Sequence, residues 1–245
     1  MPNGGILAQM TAYPLYILFG TLPSIIWLLF YLRKDANPES NRMVLKIFFY
    51  GMLMALPAIL LEMGIIRFLE GSNLPLILLV FLNIFIGIAL VEELLKYWVV
   101  KKKVLGHEEF DEPIDALLYM IIAALGFAAA ENILILCSLG PTFLFSNVLI
   151  VSLLRFWGAT FLHVLASGVI GYFLALSVFE TKKRGRLLVL GITIAVLLHG
   201  FYNFSIMELQ GSFTFVVPII ILIGLAIFLT FAFKRLKKMK SVCKI

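Results

Sequence analysis

Ten ionisable or amide side chains stand inside stretches that are otherwise almost continuously apolar. Glu92, Glu93 and Lys96 fall in Val91-Glu-Glu-Leu-Leu-Lys-Tyr97, and Glu131 and Asn132 close Gly126-Phe-Ala-Ala-Ala-Glu-Asn132. His163 precedes the small residues Ala166, Ser167 and Gly168, His199 and Asn203 sit in Leu198-His-Gly-Phe-Tyr-Asn203, and Glu62 and Arg155 stand alone. A charge at the bilayer centre costs about 2.5–3.5 kcal/mol, so such residues face a bundle interior and serve a function. On a helix Lys96 lies four residues from Glu92 and three from Glu93, close enough to neutralise either. The two glutamates point about 100° apart, so one can face a cavity while the other pairs with a neighbouring helix. Glu131 has no soluble partner nearby in sequence and needs a partner or a proton. His199 and Asn203, four apart, share a helix face.

Hydrolysis inside a membrane needs a water, a base and a donor for the oxyanion. A carboxylate in a low-dielectric cavity binds protons more tightly than in water and can act as base near neutral pH. No serine–histidine or cysteine–histidine pair stands out, and Ser167 and Ser205 are nearby candidates only. A metal is the other route: Glu131, His163, His199 and one of the paired glutamates could hold zinc with an open position, although no His-Glu-x-x-His motif is present. Each residue also has a plainer reading. Lys96 can snorkel toward Lys101, Glu131 and the histidines can make structural hydrogen bonds, and Arg155 can pair with a carboxylate or lie at the outer interface, with Glu62 as one possible partner.

The elements that must carry these residues follow from composition. The chain has 245 residues, 62% of them hydrophobic and 14% charged, with mean hydropathy +1.06. Soluble domains run near half apolar and a quarter charged, so this is a membrane chain. Seven segments reach the length of about 20 residues needed to cross the hydrocarbon: Leu7–Leu32, Met43–Phe68, Leu74–Val100, Ile114–Leu139, Asn147–Phe179, Leu187–Met207 and Ser212–Phe233. The fifth is long for one crossing and reads as a tilted helix or as a short interfacial helix before Arg155 followed by a span; an eighth crossing is the alternative. Asn37-Pro38, Gly71-Ser72-Asn73, Pro113, Gly140-Pro141 and Gly185 mark the turns. The expected fold is an all-α transmembrane bundle in one unit over residues 1–245, with core spans over 73–204 and a basic tail over 234–245. No cleavable leader is read at the N-terminus, whose apolar stretch lacks a basic flank and is long enough to span.

Net charge is +6 and pI about 9.3, but nucleic acid is not the reason. Seventeen of the twenty basic residues lie on alternate connections: Arg33 to Lys46, Lys101–Lys103, Lys182–Arg186 and the tail from Lys234. Basic flanks mark the cytoplasmic side, which places the N-terminus outside and the C-terminus in the cytoplasm of a multi-pass cell-membrane protein. The tail also meets anionic lipid. Cys137 and Cys243 lie far apart without metal or redox spacing and read as free thiols.

Taken in order, three blocks resemble the PrsW family of bacterial membrane proteases, which is similar in turn to the type II CAAX prenyl endopeptidases. They are Glu92-Glu93-x-x-Lys96, Phe127-x-x-x-Glu131-Asn132 (preceded by Asp111-Glu-Pro-Ile-Asp115), and Leu198-His-Gly-x-Tyr-Asn203. His163 and the small residues to Gly171 also match. The likeness covers about 73–204 and, more loosely, the whole chain. It departs at Asn203, where PrsW proteins often carry Asp and CAAX-type relatives carry Asn; an amide is neither base nor anionic ligand. The resemblance implies that Glu92 is the base on the attacking water, Glu93 orders it, Glu131 stands where relatives place a histidine and shares the proton, and His199 and Asn203 donate to the oxyanion. The metal-free mechanism is preferred because the relatives resemble it, with a single zinc as the alternative. The implied partner is a single-span membrane protein, in the family an anti-sigma factor cut from the outer side to start a stress response. Two rivals remain on the residues alone. A proton-coupled transporter uses carboxylates and histidines on several spans, though no inverted repeat is apparent here. A non-catalytic adaptor would keep the fold without needing the glutamates.

Overall fold

The computed structural model describes residues 3–35, 37–140 and 145–239. Pro141 and the end of the basic tail, including Lys240, Cys243 and Lys244, lie outside the described residues. The elements in chain order are α1 (Asn3–Leu32), α2 (Asn41–Glu70), α3 (Leu76–Leu82), a π-helical stretch (Asn83–Leu90), α4 (Val91–Lys103), α5 (Pro113–Ser138), α6 (Phe145–Trp157), α7 (Ala159–Phe179), α8 (Arg184–Met207) and α9 (Phe213–Leu236). Among the described residues there is no strand, as lipid demands of a chain that must satisfy its backbone within each segment. α3, the π stretch and α4 run on as one element, and α6 with α7 fills the fifth segment. Seven segments are therefore long and apolar enough to cross a membrane, matching the seven read from hydropathy.

α5 is the axis of the bundle. Every residue from Pro113 to Ala129 is buried, which is what a helix apolar on all sides requires of its surroundings. It packs against α1, α2 and α7, and α7 packs in turn against α8 and α9. The outer helices show the reverse pattern: Leu60, Phe68, Leu76, Ile77, Phe215 and Phe231 are exposed and form the lipid-facing surface.

The α2–α5 contact is backbone to backbone. A Cβ on Gly126 would stand 1.9 Å from the Phe48 carbonyl oxygen, and one on Gly51 would stand 2.1 Å from that of Ala123. Small residues permit such approach in membranes. Gly126→Leu should therefore force α2 off α5, with a loss of at least about 1–3 kcal/mol from overpacking. It should also misplace Glu131 five residues on. Thermal unfolding in detergent checks this; an unchanged melting temperature would mean the helices are not in contact there.

At the end of the bundle that carries the Lys101–Lys103 connection, short polar contacts fix the loops. The Ser40 hydroxyl accepts the Met43 amide at 3.1 Å and caps α2, while the Glu109 carboxylate receives the Ser40 hydroxyl at 2.8 Å. The Asp115 carboxylate accepts the Glu112 amide at 2.6 Å, closing the start of α5. The Tyr119 hydroxyl donates to Glu39 at 2.6 Å. Burial pushes the Glu39 carboxyl up to about 8, against the Tyr119 hydrogen bond and with the charge of Asp115. An acid whose folded pKa is raised binds its proton more tightly folded than unfolded, so its stabilising effect is present below the ordinary carboxylate range and is lost as pH rises toward about 8. Glu39→Gln should flatten the pH dependence of the melting temperature across that window. An equal slope in both proteins would contradict it.

Two interruptions set the site. The fifth segment breaks at Gly158, between α6 and α7, so the helix-plus-span reading holds but the break falls after Arg155 rather than before it. A Cβ at Gly158 would stand 2.6 Å from the Tyr202 hydroxyl and 2.8 Å from the Leu154 carbonyl oxygen, so a larger residue would collide at the corner. The third segment turns π-helical just before Val91. A π turn adds a residue to the turn and rephases whatever follows, and such stretches are frequent at functional sites.

Candidate active site

The paired glutamates follow the π stretch with only Val91 between. On α4, Lys96 reaches back to both: its Nζ lies 3.0 Å from Glu92 Oε2 and 2.8 Å from Glu93 Oε1. The same ammonium lies 2.8 Å from His163 Nδ1 on α7 and 4.5 Å from the centre of the Phe127 ring on α5. Lys96 is fully buried, so the snorkelling alternative does not describe it. A buried ammonium is tolerable only with such partners.

Glu93 is completely enclosed. Its Oε1 also meets His199 Nδ1 at 3.0 Å, and its Oε2 accepts the Ser167 hydroxyl at 2.6 Å. Ser167 is thus a positioning donor rather than a nucleophile, and Ser205 donates to the Phe201 carbonyl at 2.6 Å, which removes both serines from the list of nucleophiles. Glu92 differs from its neighbour. It lines a cavity of about 380 Å³, and its Oε2 lies 3.6 Å from His163 Nδ1 and 3.9 Å from His199 Nε2. The two glutamates divide as the helical repeat requires, one toward the cavity and one toward the neighbouring helices.

Partners also assign the histidine tautomers. Lys96 can only donate, so His163 Nδ1 accepts and its Nε2–H donates to Glu131 Oε2 at 2.8 Å. His199 donates Nδ1–H to Glu93, leaving the Nε2 lone pair toward Glu92 and the cavity. Glu131 lies beyond His163, on the far side of the ring from Lys96, with 32% of its side chain exposed. Arg155 Nη2 stands 2.9 Å from Glu131, a charge contact without hydrogen-bond alignment, while Arg155 Nε donates to the Asn132 amide oxygen. Arg155 is therefore the carboxylate partner that the sequence left open. Asn132 completes its bonds with Thr160 Oγ1 at 3.0 Å and the Gly20 carbonyl at 3.2 Å; it is buried scaffold that fixes Arg155. Asn203, one turn after His199, lines the cavity with Tyr202, Arg155 and Glu62.

All nine site residues named from sequence thus gather in one region. What sequence reading missed is the ring around them: the Ser167 bond to Glu93, the Thr160 bond to Asn132, and the Ile88, Ile206 and Met207 lining. Ser167 and Thr160 were detectable only as small polar residues one helical face from His163.

The donor chemistry can be set against a metal. One atom each from Glu92, Glu93, His163 and His199 falls within 4.8 Å of the others, and His163 has the Glu131 carboxylate behind it, the usual outer support of a metal-bound histidine. Glu131, a candidate ligand in the zinc alternative, stands behind His163 at 2.8 Å. Yet Lys96 Nζ touches three of the four ligating groups at 3.0, 2.8 and 2.8 Å. A divalent ion about 3 Å from an ammonium is repelled by on the order of 10 kcal/mol even at an effective dielectric of about 20. An ion held by these four groups would therefore have to displace Lys96 from them.

A bundle of seven apolar helices closed around a buried acid–imidazole centre is the build of a membrane-embedded hydrolase. The model of the family described as PrsW family intramembrane metalloprotease matches residues 39–231, and the chain belongs to that family. Relatives named Protease PrsW agree. That of Oceanobacillus iheyensis is 30% identical over 205 residues, covering 83% of this chain and 88% of the relative. That of Bacillus subtilis is 28% identical over 225 residues, covering 91% and 94%, and that of Geobacillus kaustophilus is 30% identical over 189 residues, covering 77% and 78%. No solved structure matches the chain. The chain is a multi-pass membrane protease.

Proposed function

We propose that the chain cuts a single-span membrane protein at a bond that reaches the cavity, with Glu92 as the base on the attacking water. The observation that carries this reading is the division of labour between the paired glutamates: Glu93 is bonded on both oxygens, while Glu92 faces the cavity beside the lone pair of His199. Glu92 takes a proton from water as the oxygen attacks the carbonyl carbon, and returns it to the amine as the C–N bond breaks. His199 commits its Nδ1–H to Glu93, so its Nε2 accepts from the water rather than donating to the oxyanion. Asn203 then becomes the neutral donor to the oxyanion. Lys96 bonds to both carboxylates and, in this reading, needs no metal beside it. The contrary reading, a zinc site, draws on the four-donor cluster and the family description; it requires Lys96 to leave.

Read with the basic connections in the cytoplasm, Glu131, His163, His199 and Asn203 stand in the outer halves of their helices and Glu92 deeper in its own, which supports a cavity reached from the outer side. An anti-sigma factor cut from outside fits that placement. The test is cleavage of a single-span anti-sigma reporter by the full chain in proteoliposomes, with proton flux followed in parallel. Cleavage without flux supports the peptidase; flux without cleavage supports the transporter.

A further inference from the structure

The catalytic arrangement leaves one acid of the cavity unused. Glu62, on α2, lines the same space as Glu92, Glu131 and Arg155. It makes no hydrogen bond and no ion pair within 4 Å of any described residue. Both cations of the site are committed elsewhere: Lys96 to Glu92, Glu93 and His163, and Arg155 to Glu131 and Asn132. With Glu62 included, the region holds four carboxylates against those two cations. A lone carboxylate at membrane depth is unfavourable by a few kcal/mol unless something complements it.

We infer that Glu62 reads a positive charge on the incoming substrate chain, a lysine or arginine side chain near the bond to be cut. Three features argue for a cation as the occupant. Even without Glu62, the three carboxylates Glu92, Glu93 and Glu131 outnumber the two cations Lys96 and Arg155. Part of the cavity lining is apolar, from Ile88, Leu154, Ile206 and Met207, so an ion pair formed there is screened less than in water. Leu154, Ile206 and Met207 are also exposed on the bundle surface, which gives a membrane-borne segment a lipid-facing way in beside Glu62. This inference rests on the cavity being where substrate lies, but not on which group activates water.

Binding tests it separately from cleavage. Three labelled single-span peptides, identical except for Lys, Gln or Glu at the residue just beyond the span, are titrated against the full chain in nanodiscs of neutral lipid. The wild-type protein should bind the Lys peptide about tenfold more tightly than the Gln peptide, the ratio expected of one partly screened charge pair. Glu62→Gln should erase that ratio, and Glu62→Lys should transfer the preference to the Glu peptide. Equal binding of all three by the wild type, binding of none, or a Lys preference that survives Glu62→Gln would each overturn the inference. A melting temperature close to wild type for Glu62→Gln excludes misfolding as the cause. Loss of cleavage with the Lys preference intact would count against the peptidase reading and leave this one standing.

Discussion

Replacing Glu92 by Gln should lower turnover by about 10²–10⁴-fold, the range that a positioned general base contributes, while the protein still folds. Glutamine is isosteric and keeps an oxygen for Lys96 at the position of Oε2, now 3.0 Å from Nζ, but it cannot take a proton from water. Because Glu93 keeps its own bonds to Lys96, His199 and Ser167, the rest of the centre stays in place. The same change at Glu93 should behave differently. An amide there cannot accept from Lys96, His199 and Ser167 together, so Glu93→Gln should lower stability along with activity. Turnover of a reporter in proteoliposomes, read beside the detergent melting temperature, separates the two. If Glu92→Gln kept wild-type turnover, the assignment of the base would be wrong.

The second large effect is expected at Lys96. Lys96→Met removes the one cation between two buried carboxylates and an imidazole. Breaking a buried ion pair by deleting one partner costs about 3–5 kcal/mol, so the variant should melt well below the wild type. Methionine keeps an unbranched apolar stem but carries no charge. What remains is two carboxylates and two imidazoles with donor atoms within 4.8 Å of one another, a set well suited to zinc. Added zinc should raise the melting temperature of Lys96→Met, as any ligand that binds only the folded state does, and should leave the wild type unchanged. Zinc that stabilised the wild type equally would show that the ammonium does not hold the place of an ion.

Much of this centre could be read from the chain alone, for a physical reason. Lipid makes every buried charge conspicuous, so Glu92, Lys96, Glu131, His163 and His199 stood out against their apolar surroundings, and local spacing alone put Lys96 against both glutamates. The seven spans were legible because hydropathy over about 20 residues is a strong signal. The π stretch before Val91 left no such trace: Asn83–Leu90 reads as ordinary apolar helix, and its extra residue per turn depends on what the neighbouring helices impose. The break at Gly158 was misplaced by a few residues because Arg155 looked like an interfacial residue, whereas tertiary pairing with Glu131 draws it inward. The contact of Glu131 with His163 is likewise set by how α5 meets α7, which no local pattern encodes.

Lys96 is the cation that steadies the paired glutamates. The most direct measurement is cleavage of a single-span reporter by full-length protein stripped of metal with a strong chelator and checked for metal content before reconstitution. Turnover should match that of untreated protein, and added zinc should not increase it. Activity lost on stripping and restored by zinc would contradict the account and place an ion, rather than the lysine, at the heart of the site.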